Sequence, residues 1–203
     1  DRIAASVRCA STGKYFVLSG NQIGALICDY IVKKRSAARP PIDGAIGNPF
    51  TSHLTSEHYI VETLVTTQLT ATIAKTAGLK VVDELLVGFK FIGEAMDQHG
   101  PDKFVFGTEE SLGYLAGDYA RDKDAAIAAL YLSELAAELA SDEKTLLDHL
   151  DSLYAEHGYF SERTRNDYAY GPTGKALIDG LMKILRTTPP TELGGVTLTS
   201  VSD

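Results

Sequence analysis

Residues Phe106 to Tyr114 read FGTEESLGY: two adjacent carboxylates and a hydroxyl between two glycines, directly after an apolar run. A carboxylate accepts hydrogen bonds from two neighbouring hydroxyls at once, and a serine can donate or accept one. Glu109 and Ser111, two residues apart on an extended loop, project to the same side. That arrangement suits a vicinal diol, which means a sugar. Gly107 and Gly113 would let the backbone bring these groups close to a ligand. Glu110 reads as a second ligand or as a solvated neighbour, with the solvated reading favoured. Alone, Glu-Glu-Ser is also common on helix starts and exposed turns, so the rest of the chain has to decide.

Two other stretches could join it. LVGFK, Leu86 to Lys90, puts Gly88 and Phe89 just after a strand pattern. ARDKDA, Ala120 to Ala125, puts Arg121 and Lys123 where a long helical pattern opens. Cations at a helix start oppose its dipole by a few tenths to about 1 kcal/mol. They are either paired within the RDKD cluster or, with free backbone N–H groups, hold a phosphate. The histidines His53, His58, His99, His149 and His157 show no metal-ligand spacing with another donor on a helix face. They read as surface or loop residues.

The elements that must position these groups alternate. Arg2 to Val7 reads as a strand, with Tyr15 to Leu18 as its hairpin partner across Ser11-Thr12-Gly13. A helix follows from Ser19-Gly20-Asn21, with Lys33-Lys34-Arg35 in its last turn. Ala38 to Ser56 is a Pro/Gly-rich connection, long enough to be a mobile loop or a functional insertion. Tyr59 to Val65 is a strand; Thr66 or Thr67 caps a helix that ends at Gly78. Leu79 to Leu86 is a strand, Gly88 to Met96 a short helix, and Lys103 to Phe106 a third strand running into FGTEESLGY. A helix from Asp122 to Ala140 carries Ile127, Leu130, Tyr131, Leu135 and Leu139 on one face. Lys144 to Glu156 and Thr173 to Arg186 read as helices, Tyr159 to Asp167 and Val196 to Val201 as strands. The rhythm predicts an α/β fold: a mixed, mostly parallel sheet flanked by helices. Ligands of such sheets bind beyond the carboxyl ends of the strands, where Gly88 and Glu109 both fall.

Composition bounds the partners. The 203 residues are 44% hydrophobic and 23% charged, enough for a sizeable core. A formal net charge of −8 argues against a general nucleic-acid binder. No apolar run approaches a membrane span, and no signal-peptide pattern is present. Two distant cysteines, Cys9 and Cys28, fit a reducing, cytoplasmic setting, with Cys28 a buried thiol. The chain opens on Asp-Arg-Ile-Ala without an initiator methionine, so it is expected to be a piece of something longer.

FGTEESLGYLAGDYARDKDA resembles the sugar-binding loop and following helix of the α-D-phosphohexomutases, the phosphoglucomutase/phosphomannomutase family. In the same order, LSGNQIGALICDYI resembles the opening of that family's third domain, and LVGFKFIGEAM resembles its TGFKFIG-type loop. Asp1-Arg2 resembles the end of its metal loop, D-x-D-x-D-R. No single stretch is specific; the ordered set is. The resemblance implies that residues 1–18 end the second, metal-loop domain, that 19–190 form the sugar-binding third domain, and that 191–203 form a hinge toward a fourth.

It also implies an interconversion of hexose 1- and 6-phosphates through a phosphoserine and a hexose 1,6-bisphosphate, assisted by Mg²⁺. Glu109 and Ser111 would hold sugar hydroxyls, and Gly88 and Phe89 would line the pocket. Lys123 and Arg121 would face phosphate. Asp1 would be the last of three metal ligands, with Arg2 near the phosphoserine. The phosphoserine loop, two metal aspartates and the C-terminal phosphate loop have no counterpart in these residues, so the chain alone is expected to be inactive. Val87 stands where the family often has threonine. The alternatives are a non-catalytic sugar-phosphate-binding module, a phosphopentomutase-type member of the family, and a generic α/β interaction domain.

Overall fold

The computed structural model describes residues 1–9, 11–37, 53–163, 167–199 and 201. The chain divides into two compact units, Asp1–Ser161 and Glu162–Asp203.

The first unit begins with an antiparallel hairpin, β1 (Ser6–Arg8) and β2 (Tyr15–Val17), leading into α1 (Gly20–Ala37). The elements β3 (Tyr59–Thr63), α2 (Gln68–Thr76), β4 (Lys80–Leu85), α3 (Phe89–His99) and β5 (Phe104–Glu109) follow. Then come β6 (Gly113–Ala116), α4 (Ala125–Ser141) and α5 (Leu146–His157). The central sheet has the order β4-β3-β5-β6; β3 pairs in parallel with β4 and β5, and β6 runs antiparallel to β5. This is the mixed, mostly parallel sheet expected from the sequence.

Two apolar cores cover the two faces of the sheet. Ile60, Val105, Phe106 and Tyr114 pack with residues of α1, α2, α4 and α5. Tyr59, Val61, Phe104 and Leu115 pack against Phe89, Ile92, Ala95 and Met96 of α3. All five residues of β3 are buried, as a central strand of a helix-covered sheet requires. Caps fix the helix starts. Thr67, rather than Thr66, accepts the Leu69 N–H, and Thr145 forms a reciprocal capping box with Asp148.

Several expectations change. The strand expected over Arg2 to Val7 is only Ser6–Arg8; Arg2 makes an isolated bridge to Gly113. The third strand extends to Glu109, and β6 pairs back onto it, because Gly107 and Thr108 pair with Leu115 and Tyr114. Gly107 therefore serves packing: a Cβ there would lie 2.8 Å from Ile92 Cγ2. The long helix starts at Ala125, since the Asp124 carboxylate accepts the Ala126 N–H at 2.8 Å. Arg121 and Lys123 therefore lie before the cap, outside the first turn of the helix. Leu130 is exposed; Ala128, Leu132, Leu135 and Leu139 form the buried stripe.

His58 is buried, its Nδ1 3.0 Å from both the Thr55 N–H donor and Thr55 Oγ1. His149 bonds the buried Asp29 at 2.8 Å. His58 is thus a loop residue, as expected, but a buried one, and His149 is a partly buried residue of α5 instead of a surface or loop residue. Most of the connection Ala38 to Ser56, residues 38–52, lies outside the described residues.

The second unit contains α6 (Gly171–Thr187) and a short hairpin of β7 (Glu192–Leu193) and β8 (Val196–Thr197). Gly194 and Gly195, both at positive φ, make its two-residue turn. The strand expected over Val196 to Val201 therefore stops at Thr197. No strand forms among the described residues of Tyr159 to Asp167.

Candidate functional site

The carboxyl ends of β3, β4 and β5 share one edge of the sheet, and β6 starts there because it is antiparallel. Glu109 is the last residue of β5, and its Cα partner is Gly113, the first of β6. Glu110, Ser111 and Leu112 make the intervening turn, with Leu112 in the left-handed region at φ 69°. Glu109 is thus held by a paired strand, not by the loop expected from the glycines around it. Ser111 sits half-buried on the turn itself. The two residues do not lie on one continuous extended segment, yet they remain neighbours at one sheet edge.

Lys123 reaches the same place from the segment between β6 and α4. A Cβ on Gly113 would stand 2.4 Å from Lys123 Cδ and 3.0 Å from Glu109 Oε2. Glycine at this position lets the lysine stem and the carboxylate converge. The Lys123 side chain is 12% exposed. Its Nζ lies 5.2 Å above the Phe89 ring, 2.8 Å from Asp122 Oδ1 and 3.5 Å from Asp1 Oδ1. The segment is anchored by the Asp124 N–H, which donates to Tyr114 O at 2.8 Å.

Glu109 is 3% exposed. Burial pushes its carboxyl above the usual range, and the charge of Glu110 adds to this. Lys123, Arg2 and the Gly88 backbone N–H oppose the rise. A carboxylate held between burial and cations is a strong acceptor, because little water competes for it. Gly88, at φ 133°, is the residue before α3, so its N–H belongs to the unpaired donors of a helix start. The carboxyl edge of the sheet thus brings together an acceptor, a cation and an aromatic ring, a set suited to a polar, anionic, ring-bearing ligand.

Arg121 behaves differently from Lys123. Its Nε donates to Asp97 at 2.7 Å, and its Nη1 donates to the carbonyls of Asp118 and Ala120. It clamps the loop to α3, whose Gly93 lies so close that a Cβ there would be 2.9 Å from Arg121 O. Glu110 also departs from expectation. It is half-buried, and its Oε2 is enclosed without a hydrogen-bond partner, so it is not a solvated neighbour. Val87 is exposed beside Gly88. Asp1 is 71% exposed. Among the described residues no group of three or more His, Cys, Asp or Glu side chains gathers as a metal cage.

Sequence reasoning missed the abutment of α1 on this turn. A Cβ on Gly20 would fall 1.9 Å from Glu110 O, so the helix start presses directly on the Glu-Glu-Ser backbone. The glycine in SGNQIG was visible; its partner, 90 residues away, was not. Glu62 and Thr108, buried beneath Glu109, were missed as well. A charged residue inside a β-branched run was their available signal.

Comparison with known proteins identifies the fold that carries these residues. Residues 19–157 match the family described as phosphoglucomutase/phosphomannomutase, alpha/beta/alpha domain III. A phosphoglucomutase of Staphylococcus aureus is 30% identical over 206 aligned positions, which cover 100% of this chain and 34% of the relative. One from Staphylococcus epidermidis is 30% identical over 204, with 100% and 34% covered. The chain therefore spans about a third of the length of these relatives. Among solved structures, parafusin, an exocytosis-sensitive phosphoprotein and phosphoglucomutase of Paramecium, superposes in its open form with a TM-score of 0.58. That likeness holds at 19% identity over 85% of this chain and 26% of the other, and speaks for the fold. With the family matched across the whole central sheet, the chain belongs to the phosphoglucomutase/phosphomannomutase family, to which it contributes the α/β/α domain III.

Proposed function

We propose that these residues line a crevice that grips the sugar of a hexose phosphate during the interconversion of its 1- and 6-phosphates by a phosphohexomutase. The observation that carries the reading is the convergence of Glu109 and Lys123 over Gly113 at the carboxyl edge of the sheet. Glu109 would accept from two vicinal hydroxyls, and Ser111 would contribute one more hydrogen bond. Gly88 and Phe89 would line the pocket, and Lys123 would meet phosphate. Arg121 would act by holding the loop. A bisphosphate turned end for end would meet the same acceptors in both orientations, because the hydroxyls between the two phosphates are shared.

Phosphoryl transfer itself would use a phosphoserine outside these residues, in a cytoplasmic enzyme. Mg²⁺, which the family implies, would act there as a Lewis acid. The residues of this chain do not fit it by themselves: Asp1 is a single exposed carboxylate with Lys123 beside it. Asp1 would add one ligand to a cage completed elsewhere. Residues 1–18 are then the end of the domain that carries the metal loop, and 191–203 lead toward a fourth domain.

The test is an amide NMR titration of the chain with glucose 1-phosphate, mannose 1-phosphate and glucose 1,6-bisphosphate, with inorganic phosphate as control. Shifts should centre on Gly88, Glu109, Ser111 and Lys123 and exceed those caused by phosphate. Shifts centred elsewhere, or none at millimolar ligand, would sink the reading. Mutase assay of a protein spanning the full length of the relatives then separates an enzyme from a non-catalytic binding module.

A further inference from the structure

Beneath Glu109, on the opposite face of β5, two polar atoms are buried without partners. Glu62, next to the last residue of β3, and Thr108, on β5, are both 0% exposed. They are Cα partners in the parallel β3–β5 register, so their side chains stand side by side. Glu62 Oε2 and Thr108 Oγ1 each lie enclosed without a hydrogen bond. Buried polar atoms are almost always satisfied by protein or by ordered water. Thr108 Oγ1 points at α1, where a Cβ on Gly24 would lie 2.7 Å from it. One turn further along α1 is Cys28, a fully buried thiol whose ionisation the Glu62 charge opposes.

The surroundings decide the form of Glu62. On α2, Gln68 Nε2 donates to Glu62 Oε1 at 3.4 Å. Asp83 on β4 repels the charge and Lys75 on α2 attracts it, but burial is the largest influence, and the carboxyl is pushed up to about 8. A neutral carboxyl has an O–H to donate, and a threonine hydroxyl can accept and donate. Yet the two groups make no direct hydrogen bond. Two orphan atoms on paired residues of adjacent strands form the kind of polar niche that holds a single water.

We propose that one buried water molecule bridges the Glu62 carboxyl to the Thr108 hydroxyl, bracing β3 against β5 directly behind Glu109. The brace fixes the strand end from which Glu109 projects, and it stands independently of the sugar reading. Its occupant is solvent, held for longer than surface hydration.

The experiment is water–protein NOE spectroscopy on the 203-residue chain at pH 6, read at the Thr108 methyl group. The expected result is a cross-peak from long-lived water at that methyl. Glu62→Gln, which keeps a polar partner, should retain it. Glu62→Met should lose it at the Thr108 methyl, and Thr108→Val should show none at the new valine methyls. Amide spectra of each variant establish that the fold persists, and either of the last two alone suffices if the other does not fold. No cross-peak in the wild type would overturn the proposal. So would a cross-peak that survives Glu62→Met, because it would report hydroxyl exchange instead of a bridge.

Discussion

Gly113→Ala separates the site from the fold that carries it. The new methyl would begin 2.4 Å from Lys123 Cδ and 3.0 Å from Glu109 Oε2, and real Cβ atoms do not approach other atoms at the shorter distance. The backbone of Gly113 is strand-paired and not at positive φ, so alanine itself is unstrained there. The lysine stem is the part free to move, and it must leave the crevice. Its contact with the Phe89 ring goes with it, worth about 0.5–1 kcal/mol. Alanine for glycine stabilises by about 0.4–1 kcal/mol through the unfolded chain. The two nearly cancel, so the melting temperature should move by no more than roughly 4 °C.

Binding should respond far more. A hydrogen bond from a cation contributes about 1.5–3 kcal/mol, so affinity for glucose 1-phosphate should fall roughly 10- to 150-fold. Calorimetric titration and thermal unfolding of the same sample measure both. Unchanged affinity would mean that Lys123 does not meet the ligand. A loss of stability above about 3 kcal/mol would mean that the backbone, not the lysine, gave way, and the convergence argument would fail.

In an enzyme containing this domain, Glu109→Gln should raise the barrier in kcat/KM by about 1.5–3 kcal/mol and Ser111→Ala by about 1 kcal/mol; the reverse order would mean that the turn residue, not the strand end, holds the sugar. Glu62 has its carboxyl raised from 4.5 to about 8, so its contribution to stability is full below pH 4.5 and is lost as pH rises through 8. In urea unfolding, Glu62→Gln should therefore gain on the wild type by roughly 1.4 kcal/mol per pH unit across that window, and a difference independent of pH would show that Glu62 ionises freely. The chain should bind Mg²⁺ only weakly, since a lone carboxylate cannot form a cage; a calorimetric Kd in the low micromolar range would contradict this. Glucose and mannose 1-phosphate should bind within about tenfold of each other, as a grip on hydroxyls 3 and 4 sees the same groups in both sugars, and discrimination beyond about a thousandfold would require a dedicated polar contact at carbon 2.

Local signals carried the fold well. The β-branched run at Tyr59 to Thr63, the Thr67 cap and the glycine after α2 each act over a few residues, and each element formed where its signal lay. What failed was non-local. β6 has only four residues, and its strand character comes from pairing with β5, not from its own composition. For the same reason the stretch around Gly107 read as a loop. The Arg-Asp-Lys-Asp cluster could be read either way because its meaning depends on Asp97, 24 residues upstream, which takes the arginine, while the lysine pairs with Asp122 inside the cluster and lies over Phe89.

The glycines show where that limit lies. At Gly113 the sequence suggested a close approach to a ligand, whereas the approaching atoms belong to Lys123 and Glu109. At Gly20 the approaching atom is a carbonyl of the turn itself, so the start of α1 and the Glu-Glu-Ser turn fix each other's position. Any side chain at residue 20 would push the turn outward and carry Ser111 with it, while Glu109 would stay in its strand. The two residues proposed to hold the sugar are thus positioned by different devices, one by strand pairing and one by helix contact. A substitution at Gly20 should therefore weaken the contribution of Ser111 without touching that of Glu109. That split, read from a double-mutant cycle of Gly20→Ala with Ser111→Ala and with Glu109→Gln, would show whether the crevice is one rigid unit or two parts that meet at Gly113. Coupling to Ser111 alone is the expected result, and equal coupling to both would mean that the turn and the strand end move together.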